Sequence, residues 1–285
     1  MINIKLTDIK YDTINYEGHL LTIKRLDLIH PIISGNKYFK LIHFLEDYKK
    51  KELNVPILSF GGAYSNHLIA LSYLCNLNKI KSIGVIRGEK VENSFLNFCS
   101  NNGMCFKFIS RSAFRTNKNP LFLEVLKEEI GDFYLIPEGA SSDIGILGSA
   151  DMITFNDLEK FETISCTVGS GTMLSGVLKR VFYKKDIKVL AFPALKGQGI
   201  TKKLLTDLNV TNFEQLKIIE AYHFGGFAKQ NQELVNFINW FETTYHIPLD
   251  SIYSAKMLFG IFDLIDKNSF PYQKVLLIHC GKTNL

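Results

Sequence analysis

Apolar and polar positions along this chain switch repeatedly between two periods. Short apolar runs rich in β-branched and aromatic residues alternate with segments whose apolar residues recur every three or four positions, as on one face of a helix. Tyr38, Leu41, Ile42, Leu45 and Tyr48 mark the first such helix. Residues 56–60 read as a buried strand, and Leu68, Leu71, Leu74 and Cys75 as the inner face of the helix after it. Strand is then expected at 82–87, helix at 92–101, strand at 104–109, helix at 120–130 with proline in its first turn, and strand at 133–136. A loop at 137–142 leads to a helix of small residues through Gly145, Gly148 and Ala150. Later strands are expected at 163–168, 188–192, 217–222 and 274–279. The later helices run through Leu174, Val177 and Leu178, over 230–245 and over 255–265. The stretch 1–33 reads as irregular chain and short strands.

Such alternation predicts an α/β protein with parallel or mostly parallel sheets covered on both faces, whose ligands gather beyond the C-terminal ends of the strands. With 285 residues the chain can form one large α/β domain or two smaller ones. An apolar content of 46% against 21% charged residues excludes a disordered chain. The net charge of +5 is scattered, and the only dense basic run, Lys49-Lys50-Lys51, reads as a helix C-terminus, so nucleic acid is not an expected partner. The five cysteines, Cys75, Cys99, Cys105, Cys166 and Cys280, form no CxxC pair, which argues against a disulfide framework or a zinc site. His30, His43, His223, His246 and His279 show no ligand spacing, and no metal is expected. Neither a signal-like apolar segment nor a run of membrane-spanning length is visible, so a cytoplasmic setting without a membrane partner is expected.

Candidate chemistry begins at Ser34-Gly35-Asn36-Lys37-Tyr38-Phe39-Lys40. Asn36 is the expected N-cap, which puts Lys37 in the positive first turn of a helix. That environment lowers the pKa of an amine, and a neutral amine condenses with an aldehyde. Taken alone, Lys37 and Lys40 read equally well as solvated surface lysines. Two glycine loops change the picture. Gly61-Gly62-Ala63-Tyr64-Ser65-Asn66-His67 and Val168-Gly169-Ser170-Gly171-Thr172 each follow a strand and open a helix, where backbone N–H groups meet anions. The second loop lacks the Lys of a P-loop and the third glycine of a dinucleotide fingerprint. It is a monophosphate cradle or a tight turn without ligand. An amine at a helix start with a phosphate cradle nearby fits a phosphorylated aldehyde, pyridoxal 5'-phosphate, better than a nucleotide, for which no acidic ribose contact is found.

A series of motifs resembles one family. Lys24-Arg25-Leu26-Asp27-Leu28, Gly35-Asn36-Lys37-x-x-Lys40-Leu41, Gly61-Gly62-x-x-Ser65-Asn66-His67, Pro137-Glu138-Gly139 and Val168-Gly169-Ser170-Gly171-Thr172 occur in this order. Leu249-Asp250-x-x-Tyr253-x-x-Lys256-Met257 and Leu276-x-Ile278-His279-x-Gly281 continue it. Together they resemble the family of 1-aminocyclopropane-1-carboxylate deaminase and D-cysteine desulfhydrase, over nearly the whole chain. The resemblance implies a tryptophan synthase β-like fold (fold type II of pyridoxal phosphate enzymes). In it a small α/β domain, residues 53–145, is inserted into a larger one, residues 1–52 and 146–285. By motif position Lys37 binds the cofactor covalently, Lys40 lies near its phosphate, Asn66 meets its ring hydroxyl, and Gly169, Ser170, Gly171 and Thr172 hold the phosphate. Ser65, Asn66 and His67 face the substrate, and Tyr253 joins Lys37 and Ser65 as a catalytic residue.

Four positions depart from the family pattern: Ser254, Phe227, Cys280 and Phe39, the last where relatives often carry a basic residue. Ser254 stands where the deaminase has a glutamate facing the ring nitrogen and the desulfhydrase a threonine. A hydroxyl makes the cofactor a weaker electron sink, suited to β-elimination. Phe227, a substrate-site position, replaces a family tyrosine, and Cys280, beside the cofactor, matches neither subfamily. The implied activity is removal of ammonia from a small amino acid by β-elimination to a 2-oxo acid. Ring opening of 1-aminocyclopropane-1-carboxylate and a cofactor-binding protein without turnover are the alternatives. Relatives imply a homodimer, for which the helix face at Trp240 offers a contact.

Overall fold

The computed structural model describes residues 8–281, so the expectation for residues 1–7 lies outside it. A hairpin, β1 (Tyr11–Tyr16) and β2 (His19–Arg25), leads to the helix α1 (Asn36–Lys50). Then come β3 (Ile57–Gly62), α2 (Asn66–Leu77), β4 (Ser82–Arg87), α3 (Ser94–Asn101) and β5 (Met104–Ile109). A single turn α4 (Arg111–Phe114), α5 (Pro120–Ile130) and β6 (Tyr134–Ile136) follow. The remainder runs α6 (Asp143–Ala150), α7 (Phe155–Lys160), β7 (Thr163–Val168), α8 (Thr172–Val181), β8 (Lys188–Pro193) and α9 (Ile200–Asp207). It closes with β9 (Leu216–Ile218), α10 (Gln232–Tyr245), α11 (Ser254–Asp266) and β10 (Lys274–His279).

These strands form two sheets. The six-stranded sheet has the order β1-β2-β10-β7-β8-β9, parallel except for the β1–β2 hairpin. The four-stranded sheet has the order β5-β4-β3-β6 and is parallel throughout; all of its strands lie between residues 57 and 136. Strands such as β8 and β10, buried from their second residue on, read as continuous apolar runs, as strands covered on both faces do.

Three helices meet unusually closely beside the six-stranded sheet. A Cβ added at Gly148 of α6 would lie 2.2 Å from the Phe39 carbonyl oxygen of α1, and one at Gly176 of α8 would lie 2.4 Å from Ser149 Cβ. Glycine at these positions lets α1, α6 and α8 stack backbone to backbone. Beneath β2, the Lys24 ammonium is fully buried and pairs with Asp157 at 2.5 Å, which also accepts from the Tyr11 hydroxyl at 2.8 Å. The Lys24-Arg25 motif is therefore structural: Arg25 binds Asp12 and Asp27 on the other side.

Some elements differ from the sequence pattern. The strand expected at 217–222 stops at Ile218, and Glu220–Tyr222 forms a 3-10 turn. There the Tyr222 hydroxyl donates to Asp263 on α11 at 2.7 Å, a tertiary bond that turns the chain out of the sheet. Helices expected from residues 92 and 230 begin at Ser94 and Gln232, because Asn93 and Asn231 accept from Leu96 and Leu234 N–H as N-caps. The short helices α7 and α9 were not anticipated, since six or eight residues hold too little periodicity to read.

Candidate active site

Parallel strands end on one side of their sheet, and the chain's polar loops collect there. The ends of β3, β7 and β10 deliver Ser65–His67, Gly169–Thr172 and Cys280, and the loop after β2 delivers α1 with Lys37 and Lys40. α1 starts one residue earlier than expected. Gly35, not Asn36, is its N-cap, with φ +61° and no side-chain capping bond. The reason is steric: a Cβ at Gly35 would come within 2.6 Å of Cys280 Cβ, so only glycine passes the end of β10 here. Asn36 instead directs its amide to Met173 Sδ at 3.5 Å, and the Cys280 thiol reaches the same sulfur at 3.8 Å.

Lys37 is half-buried in the first turn of α1. One turn on, Lys40 is buried and its Nζ donates to the Gly139 carbonyl at 3.1 Å. Burial, reinforced by the charge of Lys37, lowers Lys40 to about 8, against a smaller opposing effect of Cys280. Gly139 in turn lies against Ser170: a Cβ there would approach Ser170 Oγ to 2.9 Å. Ser170 Oγ and Ser141 Oγ each lie 3.0 Å from Thr172 Oγ1. Three hydroxyls thus cluster at the start of α8, whose N-cap Gly171 is left-handed and supplies no side-chain cap. With a helix N-terminus, three hydroxyls and a buried ammonium at its edge, this cup has the donor set of a phosphate site.

The third wall comes from the four-stranded sheet. Ser65 caps α2, its Oγ accepting from Leu68 N–H at 3.3 Å, which leaves its O–H free to donate. Asn66 Oδ1 is buried without a hydrogen-bond partner, an acceptor whose complement is a ligand donor such as a ring hydroxyl. His67 Nε2 lies 2.9 Å from the buried Ser59 hydroxyl. Desolvation, then the charges of Lys40 and Lys37, lowers His67 to about 3, so the ring is neutral.

The opposite side is built by the first turn of α11. The Tyr253 hydroxyl sits against Gly169, where an added Cβ would meet it at 2.9 Å, and burial with the Asp250 charge raises Tyr253 to about 12. Phe227 packs edge-on against Tyr253 with ring centroids 6.1 Å apart and is 51% exposed, an apolar flank where a phenol was the family pattern. The Phe227 loop is pinned by the buried Lys256, which donates to the carbonyls of His223 and Gly226 at 2.9 and 2.8 Å. Ser254 is buried and hydrogen-bonded to Asp250. Burial raises the Cys280 thiol, so it stays protonated although Lys37 favours the thiolate.

The structure therefore gathers Lys37, Lys40, Asn66, His67, Gly169–Thr172, Tyr253 and Cys280 around one cleft. Ser59, Ser141 and Met173 bond to these residues but carry no spacing signal in the sequence, and no role for Asp250 is legible there. Among the described residues, no group of three His, Cys, Asp or Glu side chains gathers as a metal site, and no helix is long and apolar enough to cross a membrane.

No family model matches the chain. It is 29% identical over 272 residues to "Putative 1-aminocyclopropane-1-carboxylate deaminase" of Pyrococcus horikoshii, covering 91% of this chain and 83% of that one. It is 25% identical over 293 residues to "Bifunctional D-cysteine desulfhydrase/1-aminocyclopropane-1-carboxylate deaminase, mitochondrial" of Arabidopsis thaliana, covering 93% and 72%. Among solved structures, an ACC deaminase homologue superposes with a TM-score of 0.80 at 26% identity, covering 98% of this chain and 91% of that one. A pyridoxal 5'-phosphate-dependent aspartate racemase superposes at 0.68 with 14% identity, covering 97% and 90%, and shares the fold alone. The fold is thus tryptophan synthase β-like, fold type II of the pyridoxal phosphate enzymes.

Proposed function

We propose that this chain, similar along nearly its whole length to 1-aminocyclopropane-1-carboxylate deaminases and D-cysteine desulfhydrases, is a pyridoxal phosphate-dependent lyase that removes ammonia from a small amino acid. The observation that carries the reading is the convergence of the Ser141–Ser170–Thr172 cup, Lys40, Lys37 and the unpaired Asn66 oxygen. In this reading Lys37 attaches the cofactor, the cup and Lys40 take its phosphate, and Asn66 meets its ring hydroxyl. When bound, pyridoxal phosphate supplies an electron sink for the charge left at a substrate's Cα.

The side chains around it do the rest. Lys37 is the base for the Cα proton. The free Ser65 O–H and neutral His67 bind the substrate carboxylate as hydrogen-bond donors. Tyr253, protonated at working pH, faces the leaving group as an acid. Phe227 adds no second phenol, which favours β-elimination of a good leaving group over cyclopropane ring opening. D-Cysteine and water would then give pyruvate, hydrogen sulfide and ammonia. The named relatives keep 1-aminocyclopropane-1-carboxylate as the second candidate substrate, and a cofactor-binding protein without turnover as the third reading. We take the working form to be a cytoplasmic homodimer, with residues 53–145 as the smaller unit of each protomer.

Purified protein with added cofactor is expected to show a visible absorption band that Lys37→Ala loses, and to release keto acid from D-cysteine faster than from the cyclopropane acid. Phe227→Tyr is expected to raise turnover of the cyclopropane acid by about two orders of magnitude if the missing phenol is a proton donor. A protein that stays colourless with cofactor sinks the reading; a coloured protein that releases keto acid from neither substrate supports the inactive alternative.

A further inference from the structure

A serine hydroxyl carries one O–H to donate and two lone pairs to accept. At Ser254, the first residue of α11, two of these three capacities are already used. Its O–H donates to Asp250 Oδ2 at 2.5 Å, and the Asp250 backbone N–H donates to its Oγ at 3.1 Å. The same carboxylate accepts the backbone N–H groups of Ile252, Tyr253 and Ser254 at 3.1, 2.6 and 2.9 Å. Both residues are buried, with relative exposures of 2% and 7%. Turning the hydroxyl proton elsewhere would break a charge-assisted bond, roughly twice as strong as a neutral one. What remains at Ser254 is a single lone pair.

The pair belongs to the cleft. Tyr253, the neighbouring residue, lies against Gly169, and the charge of Asp250 is felt at Cys280, which also feels Lys37 and Lys40. The titratable groups packed around the pair are Tyr253 and Lys256 on its own turn and helix, and His279 and Cys280 at the end of β10. Lys37 and Lys40 of α1 also act on Cys280, and the Lys40 ammonium disfavours a further positive charge.

We propose that Asp250 is a positioning residue that fixes the Ser254 hydroxyl as a hydrogen-bond acceptor, so that the cofactor's ring nitrogen is held there in its protonated form. This deepens the pyridoxal phosphate reading above and rests on it. It also amends the expectation from the hydroxyl alone: a serine free to rotate could donate to an unprotonated nitrogen, whereas this one can only accept. The relay gives a serine part of what a glutamate provides. The preference for β-elimination then rests on Phe227 rather than on a weak electron sink.

The test is the 15N NMR shift of holoenzyme reconstituted with pyridoxal phosphate labelled at the ring nitrogen, recorded at one fixed pH. The wild-type signal is expected in the protonated range, with Ser254→Ala and Asp250→Asn shifted toward the unprotonated position. Asp250→Asn also weakens the cap of α11, so Ser254→Ala, which keeps the carboxylate and its three backbone donors, carries the decision. An unprotonated signal in the wild type, or a Ser254→Ala signal that does not move, overturns the proposal while leaving cofactor binding intact. A wild-type protein that takes up no labelled cofactor overturns the parent reading and this one with it.

Discussion

An ammonium as buried as Lys40, with one carbonyl partner and a second lysine nearby, destabilises the ligand-free fold for as long as it is charged. Its folded-state pKa of about 8 lies below the ordinary 10.5, so between those values the unfolded chain binds the proton and the folded chain does not. Unfolding free energy must therefore rise with pH across that window. The penalty is fully present below pH 8 and gone above the unfolded value, a change of about 3 kcal/mol. The measurement is the stability difference between wild type and Lys40→Met in cofactor-free protein, followed by denaturation from neutral pH upward. The wild type should gain on the variant as pH rises, and added inorganic phosphate, by pairing the ammonium, should flatten the slope. A difference independent of pH would show that Lys40 is solvated and is not the buried ammonium at the edge of the cup. Lys40 and Lys37 were legible in the sequence as candidate residues, but their burial was not, because it depends on Gly139 and Cys280 from distant parts of the chain.

At the scale of elements, the position of Lys37 and Lys40 depends on how closely α1 approaches α6 and α8. The approach is set by glycines: Gly148 faces the Phe39 carbonyl and Gly176 faces Ser149. A methyl at Gly148 would overlap a backbone oxygen that has no rotamer to move into, so α1 itself must shift. Gly148→Ala is expected to lower unfolding free energy by about 3 kcal/mol and, by displacing α1, to weaken cofactor uptake more than thermal melting alone predicts. Thermal denaturation together with a cofactor titration checks this; normal affinity in a destabilised protein would make the helix stack purely structural. The sequence announced these helices through their periodicity and their small residues. Their ends were less legible. Asn93 and Asn231 took over the capping of two helices, and Gly35 replaced Asn36 as the cap of α1 because Cys280 leaves no room for a side chain. Capping chemistry is local, but the crowding at Gly35 joins residues far apart in the chain, and no pattern within a window could reveal it.

Across the whole molecule, the least legible feature was strand order. Strand–helix alternation predicts parallel sheets, but not that β10 enters the centre of the six-stranded sheet between β2 and β7, pairing Leu277 with Ile23 and with Ser165. That pairing brings Cys280 to Lys37. A second consequence is that the cleft draws residues from both sheets: Asn66 and His67 follow β3 of one, and Gly169–Thr172 follow β7 of the other. A ligand that fills it must hold the two glycine turns together. At a free cofactor concentration one hundred times its dissociation constant, linkage adds about 2.7 kcal/mol to unfolding. If the two sheets share that ligand, amide hydrogen exchange should slow together at residues 62–67 and 168–172, and along the first turns of α2 and α8. Protection confined to 168–172 would mean that the cup binds phosphate alone while Asn66 and His67 stand apart from the cofactor. Inorganic phosphate provides the internal comparison, since it has the group that fits the cup but no ring hydroxyl to meet the Asn66 oxygen. The joint slowing should therefore appear with pyridoxal phosphate and be absent with phosphate.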